Sequence, residues 1–294
     1  MDAIAGQLVA GLSQGSILLL IALGLALTFG QMGVINMAHG EFIMAGAYTA
    51  YVMSLVVGSA GLSLLLAIPL GFVVGGLLGL LLEQTIIQRM YTRPLDTLLV
   101  TFGVSLILQQ LARDIFGAPN VDVPAPAWLS GSVSLFGLGI PASRVFIFAL
   151  SLVCVGALAL ALRYTALGRR IRAVVQNRDL AETVGISTRT SDRLTFFIGS
   201  GLAGVAGVAL TLLGSTGPTL GTGYIIDAFL VVVVGGIGQI RGAVIAAFVL
   251  GLMQSFIQWG TSASMAKVLV FVAIIVFLQV RPQGIVNVRT RSLA

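Results

Sequence analysis

Side chains able to do acid, base, nucleophilic or metal chemistry are scarce in this chain: ten carboxylates, one histidine (His39), one cysteine (Cys154) and one lysine (Lys267) among 294 residues. Only one short stretch gathers several of them. Residues 30–41 read GQMGVINMAHGE, so Asn36, His39, Gly40 and Glu41 bring an amide, an imidazole and a carboxylate close together in the chain. Imidazole beside carboxylate could serve proton transfer or a metal. A protein zinc site, however, takes about four nitrogen, sulfur or carboxylate ligands, which His39 and the remote Cys154 do not supply. No metal and no other cofactor is expected. Gly11, Ser13 and Gly15 fit the G-x-S-x-G pattern, but that nucleophile elbow needs a strand-to-helix turn and triad partners, and this copy lies inside an apolar run. With no G-x-x-x-x-G-K-[ST] phosphate loop either, the chain is not expected to be an enzyme. Gly33 and Gly40 allow a turn and close backbone approach around the polar cluster. Two roles stay open for it: a junction tying two helices together, with Asn36 capping the second, or direct contact with a solute or gate.

The elements that must hold these residues follow from composition. Hydrophobic residues make up 57% and charged residues 9% of the chain, against roughly 25% charged in soluble domains. The 37 glycines suit membrane helices, which use small residues to bring backbones together. Apolar segments of spanning or near-spanning length occur at 7–29, 42–57, 62–82, 97–116, 143–162, 194–213, 225–240, 243–259 and 265–280. The expected fold is an all-α, polytopic transmembrane bundle with eight or nine membrane segments. Gly71, Gly75 and Gly79 line one helix face for close packing. Residues 71–83 echo 199–211, and 102–105 echo 235–238, a faint internal repeat at a spacing of about 130 residues. Gly235, Gly236 and Gly238 interrupt a barely spanning segment, where a broken or re-entrant helix is expected. Thr101, Ser105 and Gln109, with Gly103 and Gln110, give segment 97–116 an uncharged polar face. Such a face suits a neutral or zwitterionic solute, or equally hydrogen bonds between helices.

Charge sets the expected orientation. Seven of the sixteen basic residues fall in 163–193, so that loop, the one around Arg89 and Arg93, and the tail with Arg281, Arg289 and Arg291 read as cytoplasmic. Residues 117–141 and 214–223 and the N-terminus then face outside. Residues 1–7 contain no Lys or Arg, which argues against a cleaved signal. Within 163–193 a short helix is expected at 179–184, with Asp179 as N-cap and Gly185 ending it in a left-handed conformation. Such an element suits docking, although a solvated loop that only sets topology has the same composition. The acids Glu41, Glu83, Asp96, Asp114 and Asp227 all fall near predicted span ends, unlike the mid-membrane acids of proton-coupled carriers.

Ala181, Gly185 and Ile186 form an A-x-x-x-G-I arrangement that resembles the coupling-helix loop of ABC importer permeases. The resemblance implies that Asp179, Ala181, Glu182, Thr183, Gly185 and Ile186 meet an ATPase subunit. Residues 30–41 are similar to the signature after the first helix of branched-chain amino acid and urea permeases. Residues 221–242 and the ending LQVRPQG at 278–284 resemble the same family and look closest to its urea branch. The family likeness implies one permease domain over 1–294 in the cell inner membrane, with its coupling loop at 163–193. Implied partners are a second homologous permease subunit, two cytoplasmic ATP-binding subunits, a periplasmic solute-binding protein and the lipid bilayer; no nucleic acid is implied. Urea leads as the small-molecule solute, branched-chain or related amino acids are the alternative, and a secondary transporter or channel is the alternative of another class.

Overall fold

The structure, a computed structural model, describes residues 2–91, 93–135 and 138–286; Arg289 and Arg291 of the expected cytoplasmic tail lie outside them. The helices are α1 (Asp2–Met32), α2 (His39–Val56), α3 (Ala60–Thr85), α4 (Pro94–Phe116), α5 (Ala142–Tyr164), α6 (Ala166–Gln176), α7 (Arg178–Thr183), α8 (Thr188–Leu210), α9 (Thr222–Gly235), α10 (Ile240–Gly260) and α11 (Ala263–Val280). Between α4 and α5 the loop carries a small antiparallel hairpin, β1 (Ser132–Leu135) and β2 (Leu138–Pro141), which the apolar pattern did not announce. Each of the nine apolar segments contains a helix. Among the described residues, seven helices are long and apolar enough to cross a membrane: α1, α3, α4, α5, α8, α10 and α11. The other two of the nine expected membrane segments correspond to α2 and to α9, a shorter apolar helix of 14 residues.

Close packing of small residues organises the bundle. Added Cβ atoms at Gly11 and Gly15 would strike the backbone of α10 at Leu252 and Phe248, so α1 and α10 run antiparallel with almost nothing between them. The Gly71, Gly75, Gly79 stripe of α3 meets Gly204, Ser200 and Phe196 of α8 in the same way. α1 crosses α8 where Gly24 and Gly199 each touch the other's carbonyl. Lipid offers no hydrophobic drive between helices, so such backbone approach is what dispersion and polar contacts can exploit. The two most enclosed helices, α1 and α8, form the centre, and α11 and α5 the periphery.

The contacts also show how the two halves correspond. α2 turns through residues 57–59 into α3, and α9 turns through residues 236–239 into α10. Hydrogen bonds and ring contacts from α4 climb α2 in step, from Thr101 at Met37 to Phe116 at Tyr48, so α2 and α4 run parallel. The N-termini of α2 and α9 meet at Gly40 and Gly221, and from that meeting the two helices run toward opposite ends of the bundle. The relation is an inverted one between the α2–α3 and α9–α10 hairpins, the arrangement in which discontinuous helices carry transporter binding sites. It does not follow the ~130-residue echo in sequence: that spacing links α3 with α8, which pack against each other, and the middle of α4 with the α9–α10 turn.

Gly204→Ala places a methyl group against the Gly71 carbonyl, and overpacking of this kind costs about 1 to 3 kcal/mol. The expected outcome is a lower melting temperature and folded yield in detergent, with Gly58→Ala, which meets nothing within 4 Å, indistinguishable from wild type.

Candidate functional site

The sequence singled out residues 30–41 and the polar face of α4 as separate features, and the fold makes them one site. Helix α1 ends at Met32, Gly33 turns the chain with φ +65°, and residues 34–38 climb back into the bundle before α2 begins at His39. The His39 Nε2 lies 3.3 Å from the carbonyl of Ile21. Ile21 is eleven residues before Met32, about 16 Å along the helix, which is near the middle of a hydrocarbon core about 30 Å thick. Irregular backbone at that depth must be satisfied by protein, and two side chains do it. Asn36 Oδ1 accepts from Ala38 N at 3.0 Å, an Asx turn, and Thr101 Oγ1 accepts from Met37 N at 3.0 Å. Asn36 thus closes the approach to α2 and does not cap it; the N-cap position is Ala38.

Glu41, in the first turn of α2, is 1% exposed. Its Oε1 accepts from Ser105 Oγ at 2.7 Å and Gln109 Nε2 at 2.9 Å. Gln109 Nε2 also lies 3.0 Å from Thr222 Oγ1 on the first turn of α9. One carboxylate therefore joins α4 to α2, and one amide joins both to α9, where the two half-helices meet. Partial positive charge at those N-termini favours the acid there. Glu41 consequently sits at mid-depth, not near a span end as the sequence placed it, and acid placement no longer separates this chain from a proton-coupled carrier. Asn36 Nδ2, His39 Nδ1 and Glu41 Oε2 are buried with no hydrogen-bond partner among the described residues, so the junction keeps unused polar capacity.

Gly235, Gly236 and Gly238 do not join this site. Gly235 packs on Gly242, Gly236 (φ +101°) faces the Val286 carbonyl, and Gly238 (φ +75°) meets Gly30 at the end of α1. Their contacts are all to backbone, and they shape the α9–α10 turn at the arginine-rich end of the bundle. Gln110 also faces away, bonded to Asp114 at 2.9 Å on the exposed side of α4.

At that same end, residues 163–193 form two helices where the sequence foresaw one. α6 is capped by Thr165, whose Oγ1 accepts from Gly168 N at 3.1 Å. α7 is capped by Asn177, whose Oδ1 accepts from Leu180 N at 2.9 Å; Asp179, the expected cap, is instead in the first turn. Gly185 takes φ +83° after the helix, and Ile186 N donates back to Ala181 O at 3.0 Å, which satisfies a terminal carbonyl. Ala181 is buried at 3% exposure, whereas Leu180 and Val184 are 61% and 69% exposed. The outward face of α7 thus carries two unpartnered apolar side chains.

Beneath α7 lies a network that the sequence reading missed. Arg178, the first residue of α7, pairs with buried Asp192 of α8. Asp192 Oδ1 accepts from Gln31 Nε2 at 2.8 Å, and Thr195 Oγ1 donates to Gln31 Oε1. Gln31 is two residues before Gly33, where the chain turns back into the bundle. Arg178 also lies 5.1 Å over the Tyr91 ring, and Tyr91 donates to Glu83 Oε1 at 2.7 Å. Burial, reinforced by the Asp192 and Glu83 carboxylates, pushes the Tyr91 hydroxyl well above its ordinary pKa, so it remains a donor. The available signal was Asp192 itself, a charge at the edge of an apolar segment, which is costly unless paired.

An inverted pair of half-helices around buried polar groups, inside a bundle of spanning helices, defines a multi-pass membrane transport protein. The sequence profile described as branched-chain amino acid transport system, permease component, matches residues 7–278, and the chain belongs to that family. It is 31% identical to the high-affinity branched-chain amino acid transport system permease protein LivH of Salmonella typhimurium, over 96% of this chain and 94% of the relative. It is likewise 31% identical to BraD of Pseudomonas aeruginosa, a permease protein of a system with the same description, over 96% and 95%. The inner membrane ABC transporter permease protein YjfF of Escherichia coli is 28% identical over 91% of this chain and 80% of the relative. No solved structure matches. The chain is thus a multi-pass inner-membrane permease and not an enzyme.

Removing a buried polar partner costs about 1 to 3 kcal/mol. His39→Ala, which removes a fully buried ring and its bond to the Ile21 carbonyl, and Gln109→Leu, which leaves Glu41 with Ser105 alone and Thr222 without its partner, should each lower the melting temperature of the purified protein. His39→Gln retains a donor and should recover most of the loss.

Proposed function

We propose that this chain is the membrane-spanning permease subunit of an ATP-binding-cassette importer for branched-chain or closely related aliphatic amino acids. The observation that carries the reading is the likeness to LivH and BraD along 96% of the chain, together with the family profile. Urea, which the wording of residues 221–242 and 278–284 favoured, is mentioned by neither the family description nor these relatives' names. The partners are a second permease subunit, cytoplasmic ATP-binding subunits and a periplasmic solute-binding protein that delivers the amino acid.

In this reading α7 is the coupling helix. Leu180 and Val184, with Asp179, Glu182, Thr183, Gly185 and Ile186 around them, enter a groove on the ATPase, while buried Ala181 holds the helix to the bundle. Movement of α7 is passed through Arg178 to Asp192 and from there to Gln31, at the root of the re-entrant segment. The segment carries Asn36, His39, Gly40 and Glu41, so a shift at its root changes how Glu41 meets Ser105, Gln109 and Thr222. Breaking and remaking those bonds is the gate. Arg193, beside Glu83 at 3.6 Å, and Thr188, donating to Glu182 at 2.6 Å, keep α7, α8 and α3 moving together.

Uptake into proteoliposomes containing the full importer and its binding protein tests the substrate. Leucine or valine should accumulate on ATP addition and urea should not; urea uptake without amino-acid uptake reverses the assignment. Asp192→Ala leaves Arg178 and the Gln31 Nε2 without their acceptor, at about 1 to 3 kcal/mol for each stranded group. It should leave ATP hydrolysis running while uptake per ATP falls at least several-fold. A cysteine at Leu180 or Thr183, not at buried Ala181, should crosslink to the ATPase subunit, and its failure to do so in a transporting complex removes α7 from the interface.

A further inference from the structure

At the end of the bundle opposite α7, a cavity of about 560 Å³ opens between α1, α5, α9, α10 and the turn after α8. Its walls are unusually rich in uncharged polar groups for a membrane protein: the amides of Gln7, Gln14, Gln254 and Gln258, the Ser13 hydroxyl and the Tyr224 phenol. One charge lines it, Arg144 in the first turn of α5. No carboxylate is in the lining. Among the described residues, Arg144 makes no hydrogen bond and no ion pair. The acid on α9, Asp227, is committed to Lys267 at 3.5 Å. An arginine at a helix N-terminus also opposes the helix dipole, so nothing in its own helix rewards the charge.

The surroundings state what would. A second, smaller hollow of about 210 Å³ shares Ser13 and Arg144 with the first and is otherwise apolar, walled by Val9, Leu12, Val145 and Phe148. The larger cavity reaches inward to Ile17 and Tyr224. Ile17 is one turn of α1 from Ile21, whose carbonyl meets His39, and Tyr224 is two residues after Thr222, which meets Gln109. A cation between a polar and an apolar hollow, above the mid-depth junction, fits a small molecule with a carboxylate, a polar α-amino group and an aliphatic side chain.

We infer that Arg144 is the carboxylate-docking residue of an outer vestibule, where an aliphatic α-amino acid released by the binding protein is held before it passes the Glu41–Gln109 junction. Guanidinium and carboxylate form paired, charge-assisted hydrogen bonds, and the vestibule amides take the ammonium group. The Val9–Phe148 hollow receives the aliphatic side chain. A phosphate headgroup of an anionic lipid offers the same oxygen chemistry to Arg144 and is the competing occupant. The inference rests on the amino-acid reading of the substrate.

The test is arginine-selective modification by phenylglyoxal of the intact importer in nanodiscs, with the Arg144 peptide read by mass spectrometry and exposed Arg93 as control. In phosphatidylcholine discs, L-leucine should slow modification of Arg144 about tenfold, the scale of one charge-assisted bond, while leucinamide and urea leave it unchanged and Arg93 reacts throughout. Equal rates with and without leucine overturn the inference. Protection by phosphatidylglycerol in the discs, with none from leucine, assigns the site to lipid and overturns it as well. In uptake, Arg144→Gln should lose about tenfold for leucine with stimulated ATP hydrolysis retained, and Arg144→Lys should lose less; unchanged uptake in Arg144→Gln again overturns the inference. If the wild-type complex carries no amino acid at all, the proposed function fails separately. Arg144 protection by acetate then still decides whether the vestibule docks carboxylates.

Discussion

Two helix N-termini meeting backbone to backbone inside the bundle, at Gly40 and Gly221, are the constraint on which the rest of this structure depends. Helices that begin at mid-depth leave free N–H groups and irregular lead-in segments where lipid can satisfy neither. The fold answers with Thr101 from α4 for Met37, the neighbouring Asn36 side chain for Ala38, and the Ile21 carbonyl of α1 for the His39 ring. Glu41 then finds its donors on α4, in the field of the two N-termini. A glycine at either meeting position is obligatory, because a Cβ there would collide with the backbone of the other segment.

That arrangement also connects the α7 end of the bundle with the mid-depth junction. The re-entrant segment is rooted at Gln31, which belongs to the buried Asp192 network beneath α7, and ends at Glu41, which belongs to the junction with α9. Six residues of irregular backbone separate the two helices it connects. A short segment bonded at both ends suits the proposed transmission of movement from α7, since it has little slack. Buried polar groups are expensive unless paired, so both ends favour defined bonded arrangements over a continuum.

Much of the candidate site was legible because membrane sequences make polar residues conspicuous. Asn36, His39, Glu41, Thr101, Ser105 and Gln109 stood out against apolar surroundings, and all six fall in the junction. Their partnership was not legible, because the bonded residues of α2 and α4 lie 64 and 68 positions apart and nothing local says which faces meet. Thr222, Gln31 and Asp192 escaped notice for the same reason: each looks like an ordinary end-of-span residue until its partner is known. Gly235, Gly236 and Gly238 mark irregular backbone in the sequence, and in the fold they form the α9–α10 turn, with backbone contacts at Val286 and Gly30, away from the Glu41 junction.

The sequence by itself determined the class, an all-helical membrane bundle with an arginine-rich end, because hydrophobicity, segment length and charge are sums that do not depend on which residues touch. It also marked the segment of α9 as barely long enough to span and Gly185 as the end of a short helix, since both follow from local chemistry. Only the tertiary structure decided that α2 starts at mid-depth, that Glu41 is therefore a mid-membrane acid, and that the two halves are related as inverted hairpins. Depth and pairing are fixed by where the chain goes after each turn, and Gly33 permits several directions. Packing against α8 through Gly24, Gly46 and Gly204 selects the one that buries the polar groups together.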